Sequence, residues 1–182
     1  QIIQSITFCL NDLGNEYHAK RDYKQSLLYF EELIDFDQSN WQYLYNYANV
    51  LQDVLRLEDA IHYYLLAIKV GGMNDEDLFN NLGNAYQKIN NLDEAKRCFE
   101  KSYDLKPNDN ALIQLIHLNQ KLNDWNDFDT LMDKVYKRLN HQPINFSFPP
   151  FPMLSLPGIT NEQYLKIANQ WNTRIRLSRK SK

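Results

Sequence analysis

One spacing constrains this chain more than any other. A small residue recurs at Gly14, Ala48 and Gly83, in steps of 34 and 35. Twelve positions beyond each comes a second small residue: Ser26, Ala60 and Ala95. Four further on stands an aromatic: Phe30, Tyr64 and Phe99. A period of this length is the mark of stacked helix pairs, because one such pair cannot bury its apolar face alone. The first small residue belongs where one helix crosses its partner, since only a small side chain lets the two approach. The aromatic is expected to fill the space between neighbouring units.

The local signals agree with helix pairs. Asp22-x-x-Gln25 and Asn91-x-x-Glu94 have the form of capping boxes opening the second helices of units one and three. Asn74 followed by Asp75, Glu76 and Asp77 puts carboxylates in a first turn, where the helix dipole favours them. Gly71-Gly72 ends the second unit and Pro107 the third. A fourth unit is degenerate. Leu112, Ile113, Leu115, Ile116 and Leu118 keep the helical period, but His117 takes the small position, and Trp125 to Phe128 open a helix expected to run to Leu139. Residues 141–158 are rich in Pro and Phe and read as an extended segment packed on the end of the array. Thr160-x-x-Gln163 caps a last helix over 161–177, with Tyr164, Ile167, Ala168 and Trp171 on one face, and the tail after it is basic.

The repeat pattern resembles the tetratricopeptide repeat (TPR). The resemblance implies an all-α fold, a TPR α-α superhelix in the form of a right-handed solenoid, followed by the Pro/Phe-rich segment and a C-terminal helix. Units are expected at about 7–40, 41–75 and 76–109, with the degenerate one at 110–140. The solenoid then covers 1–140, and 141–182 packs on its end. In such arrays the first helix of each pair lines a concave groove. On that face fall Asp12 and Asn15, Asn46 and Asn49, and Asn81 and Asn84, each pair spaced i, i+3. Tyr45 and Asn80 flank them. A carboxamide donates and accepts at once, which suits the repeating backbone of an extended polypeptide. A carboxylate clamp of the chaperone-adaptor kind also needs cations on the first and third of these helices, and positions 11, 77 and 81 are Asn, Asp and Asn.

Other chemistry is not expected. No phosphate-binding, zinc-protease or hydrolase motif occurs, and His18, His62, His117 and His141 lack metal spacing. No catalytic residue, metal or cofactor is assigned. The net charge of -3 argues against nucleic acid and acidic membranes. No apolar run reaches the ~20 residues of a membrane span, no signal peptide is seen, and Cys9 and Cys98 read as reduced thiols of a cytoplasmic protein. The chain opens on Gln1, as a piece of a longer protein would.

The C-terminal third carries a second resemblance. Asn123-Asp-Trp125-Asn-Asp127-Phe128, then Pro149-Pro-Phe151-Pro-Met153-Leu154-Ser-Leu156-Pro157 and an amphipathic helix, resemble the junction between repeats and catalytic lobes in O-linked N-acetylglucosamine transferases and SPINDLY-like glycosyltransferases. It implies a substrate-recognition segment of such an enzyme, with the lobes beyond Lys182. The alternative is a free-standing TPR scaffold or adaptor.

Overall fold

The computed structural model describes residues 2–140, 158–166, 168 and 169. Among them the fold is all-α, without a strand. The Pro/Phe-rich segment up to Pro157, Ile167, Trp171 and the basic tail lie outside the described residues.

The chain divides into two compact units, Gln1–Lys106 and Pro107–Lys182. The first holds three helix pairs. They are α1 (Ile2–Ala19) with α2 (Tyr23–Phe36), α3 (Trp41–Asp53) with α4 (Leu57–Val70), and α5 (Glu76–Lys88) with α6 (Leu92–Leu105). Each pair packs on itself, α2 packs on α3 and α4 on α5, and α3 touches both α1 and α5. The first helices of the pairs therefore share one face.

The packing follows the repeat. Phe30, Tyr64 and Phe99 are fully buried, as are Ser26, Ala60 and Ala95. A Cβ on Gly14 would meet the Phe30 ring at 2.8 Å, and one on Gly83 would meet Phe99 at 3.0 Å. The small position is thus held open for the unit's own aromatic rather than for helix backbone. The second small position makes the backbone contact, because Ser26 Oγ donates to the Gly14 carbonyl at 2.8 Å.

One turn recurs in every pair. Arg21, Leu55 and Asn90 are left-handed, with φ of 61°, 62° and 62°. In each case the next residue's N–H returns to the carbonyl five back, with Asp22 to Tyr17, Arg56 to Leu51 and Asn91 to Tyr86 all at 2.9 Å. This is the Schellman closure of a helix end. The residue after the left-handed one caps the following helix. Asp22 accepts from the Gln25 N–H and Asn91 from the Glu94 N–H, whereas Arg56 makes no such bond.

The link from α4 to α5 is built differently. Gly71, at φ 146°, stops α4, and Gly72–Asn74 form a single 3-10 turn. The cap of α5 is Asp75, which accepts from the Leu78 N–H at 2.8 Å, so Asn74 lies outside the helix. Asp75 is the first residue there whose extended backbone lets its carboxylate reach forward to a free N–H.

The second unit holds α7 (Asp109–Leu122) and α8 (Phe128–Asn140), which pack together. Leu112, Ile113, Leu115, Ile116 and Leu118 are buried. The same Schellman turn closes α7 at Asn123, φ 52°, with Asp124 N–H on Asn119 O at 2.9 Å. Trp125 precedes α8 and lies edge-on to Phe128, with centroids 4.9 Å apart. Thr160 and Gln163 form the reciprocal capping box, at 3.0 and 3.2 Å, ahead of the helical residues 161–166.

Candidate functional site

The face shared by α1, α3 and α5 carries most of the polar residues singled out above. Their arrangement is a chain of hydrogen bonds running across the three helices. Asn46 Nδ2 donates to Asn11 Oδ1 at 3.1 Å. Asn81 Nδ2 donates to Asn49 Oδ1 and to the Tyr45 hydroxyl, both at 2.9 Å. Tyr64, reaching over from α4, donates to the same Asn49 oxygen at 2.6 Å. Three amide N–H bonds thus tie α1, α3 and α5 together, and one phenol adds α4.

The eight residues chosen from sequence separate into three classes. Asn46, Asn49, Asn81 and Tyr45 belong to the bonded chain and are half-buried. Asp12, Asn15 and Asn84 make no hydrogen bond or ion pair among the described residues; Asp12 and Asn15 are exposed and Asn84 half-buried. Asn80 is 7% exposed, and its Oδ1 has no donor. The residue missed as a site member is Asn11, the acceptor of the first rung. Its signal was present, since Asn11 stands three before Gly14 as Tyr45 stands three before Ala48 and Asn80 three before Gly83.

That register explains the pattern. The acceptors Asn11 and Tyr45 are met by Asn46 and Asn81, which lie 35 and 36 residues on.

The electrostatics are one-sided. Neither α1 nor α3 contains Lys or Arg, and α5 has only Lys88, in its last turn. Three carboxylates of these helices are paired: Glu16 with Lys20, Asp53 with His18 at 2.8 Å, and Glu76 with Lys106. The ammonium of Lys106 holds the Glu76 carboxyl below the usual range. Burial, then the neighbouring Glu76 and Asp75, push the Asp77 carboxyl up. Burial raises the Tyr45 phenol, and Asp77 and Asp75 add to it, although the bond with Asn49 opposes them. Among the described residues no group of His, Cys, Asp and Glu could hold a metal ion. No helix described is long and apolar enough to cross a membrane.

With this geometry in hand, similarity to known proteins is informative. The tetratricopeptide-repeat family matches residues 9–40 and again residues 76–109. The chain is 28% identical over 97 residues to the "Protein STIP1 homolog" of Dictyostelium discoideum, a stretch covering 50% of this chain and 17% of that protein. Among solved structures, the first TPR of Spaghetti (RPAP3), bound to the HSP90 peptide SRMEEVD, superposes with a TM-score of 0.63 at 22% identity, over 66% of this chain and 95% of that one. The crystal structure of MamA superposes with a TM-score of 0.67 at 17% identity, over 74% and 81%. At such identities the likeness establishes the fold, and the chain spans a small part of its curated relative.

Proposed function

We propose that this chain, which carries tetratricopeptide repeats at residues 9–40 and 76–109, is a protein-interaction module that holds an extended polypeptide along α1, α3 and α5. The observation that carries this reading is the bonded line Asn11–Asn46 and Tyr45–Asn81–Asn49, beside the unengaged Asp12, Asn15 and Asn84. Amides already tied to one another lose little rotamer freedom on binding, while the unengaged side chains have their full capacity for a ligand backbone. The superposition on a TPR domain bound to an HSP90 peptide supports a peptide occupant.

An adaptor or scaffold in the cytoplasm is the role we favour. The match to a STIP1 homolog supports it. The resemblance of residues 109–175 to a glycosyltransferase junction receives no support from the relatives found, and we place the substrate-recognition reading second.

The test uses the intact chain and a random peptide library. Peptides selected on the wild type are titrated against Asn15→Ala, Asn84→Ala and the double variant, with helicity checked in parallel. Each lost hydrogen bond is expected to weaken binding about twofold to tenfold. Affinity unchanged in the folded double variant would remove the groove from consideration.

A further inference from the structure

Two carboxylates and one buried amide oxygen on this face lack an ion pair or a donor, beside the unengaged carboxamides of Asn15 and Asn84. Asp12 and Asp77 are exposed, carry no ion pair among the described residues, and as carboxylates can only accept. Asn80 adds an amide oxygen, nine-tenths buried and without a donor. It stands on α5 between Asp77 and Asn84, on the same helix stripe, at the register where Asn11 and Tyr45 serve as acceptors.

From this we infer that the groove selects an extended segment bearing lysine or arginine and rejects a peptide that ends in an acidic C-terminus. The inference rests on the groove reading above and adds the chemistry of the partner. A buried acceptor with no donor carries a free-energy cost, and a bound N–H toward which the side chain can turn removes it. A lysine or arginine offers donors and positive charge together, and a carboxylate offers neither. Opposing charge would otherwise have to come from the first helices of the pairs, and only Lys88, at the far end of α5, is there to give it. Lys106 lies near enough to lower the Asp77 carboxyl somewhat, but it is already engaged by Glu76. Asp12 and Asp77 would repel a terminal carboxylate.

Three labelled peptides on one Gly/Ser scaffold test this with the full chain. One carries alternating lysines and an amidated terminus. The second has serine at those positions. The third has glutamate there and a free carboxylate. The lysine peptide is expected to bind about fivefold tighter than the serine peptide at low salt, with the glutamate peptide weakest. Asp12→Asn with Asp77→Asn should bring the lysine-to-serine ratio towards one, as should added salt. A glutamate peptide that binds as well as the lysine peptide overturns the inference and leaves the groove reading standing. Failure of all three to bind overturns both.

Discussion

The hydroxyl of Tyr64 donates to Oδ1 of Asn49 across 2.6 Å, so a core aromatic of α4 fixes a carboxamide on the face that α3 shares with α1 and α5. Tyr64 is fully buried and Asn49 half-buried. A second, longer contact runs from the phenol to Gln52 Oε1, at 3.5 Å. Asn49 is therefore part of the framework as well as part of the face, which bears on how the groove can be probed.

Asn49→Ala should destabilise the protein by about 1–3 kcal/mol, because it strands the Tyr64 hydroxyl and removes one acceptor of Asn81. Tyr64→Phe should cost less, about 1 kcal/mol, since Asn49 keeps its bond from Asn81. In urea melts the double variant should cost less than the sum of the two. Strict additivity would show that the 2.6 Å contact contributes nothing. Asn84→Ala, which breaks no bond, should leave the midpoint unchanged and is the cleaner probe of binding.

Gly83→Leu should lose about 3 kcal/mol or more. The added branch would run into the Phe99 ring, which a bare Cβ already meets at 3.0 Å. Gly83→Ala should stay within about 1 kcal/mol of wild type, because the helix propensity gained offsets the crowding. Ala48 in the same register, in a unit built around Tyr64, shows that a methyl fits there when the ring adjusts. A leucine variant with the wild-type denaturation midpoint would refute the packing argument.

Leu55→Gly should stabilise the protein by about 0.5–1 kcal/mol. Leu55 has a φ of 62° and is 71% exposed, so it carries the strain of a left-handed leucine and little burial in return. Thermal denaturation reads the change. A lower melting temperature would mean that the exposed side chain makes a stabilising contact.

Cys98 and Cys9 should differ sharply in reactivity. Burial pushes the Cys98 thiol up to about 12, whereas Cys9 is exposed. A maleimide at neutral pH should label one thiol in the native chain and two in denaturant. Because the folded value lies above the ordinary 9.0, the buried thiol's contribution to stability is complete below pH 9 and declines as pH rises toward about 12. Cys98→Ala should flatten that decline. Equal labelling rates of the two native thiols would contradict the burial.

Much of the framework was legible because it depends on local rules. The 34- and 35-residue steps, the Phe30, Tyr64 and Phe99 series and the caps at Asp22 and Asn91 are short-range patterns that period and propensity reveal. Glu76 and Asp77 do stand in the first turn of α5, but which residue of the Asn, Asp, Glu, Asp run caps it is chosen by the 3-10 turn before it, and that residue is Asp75. The start of α8 was set at Trp125 and falls at Phe128, where Trp125 turns its ring onto Phe128 instead of continuing the helix.

By itself the sequence determined that Asp12 and Asn15, Asn46 and Asn49, and Asn81 and Asn84 each share one side of their own helix, and the TPR resemblance implied that those sides form one face. Only the tertiary structure decided what each one does there. The offset between neighbouring helices brought Asn46 to Asn11 and Asn81 to Asn49, left Asn15 and Asn84 unengaged, and buried Asn80 without a donor. Spacing along one helix sets the direction of a side chain, whereas a hydrogen bond also needs an atom of the next helix within about 3 Å, and that distance is set by how the pairs stack.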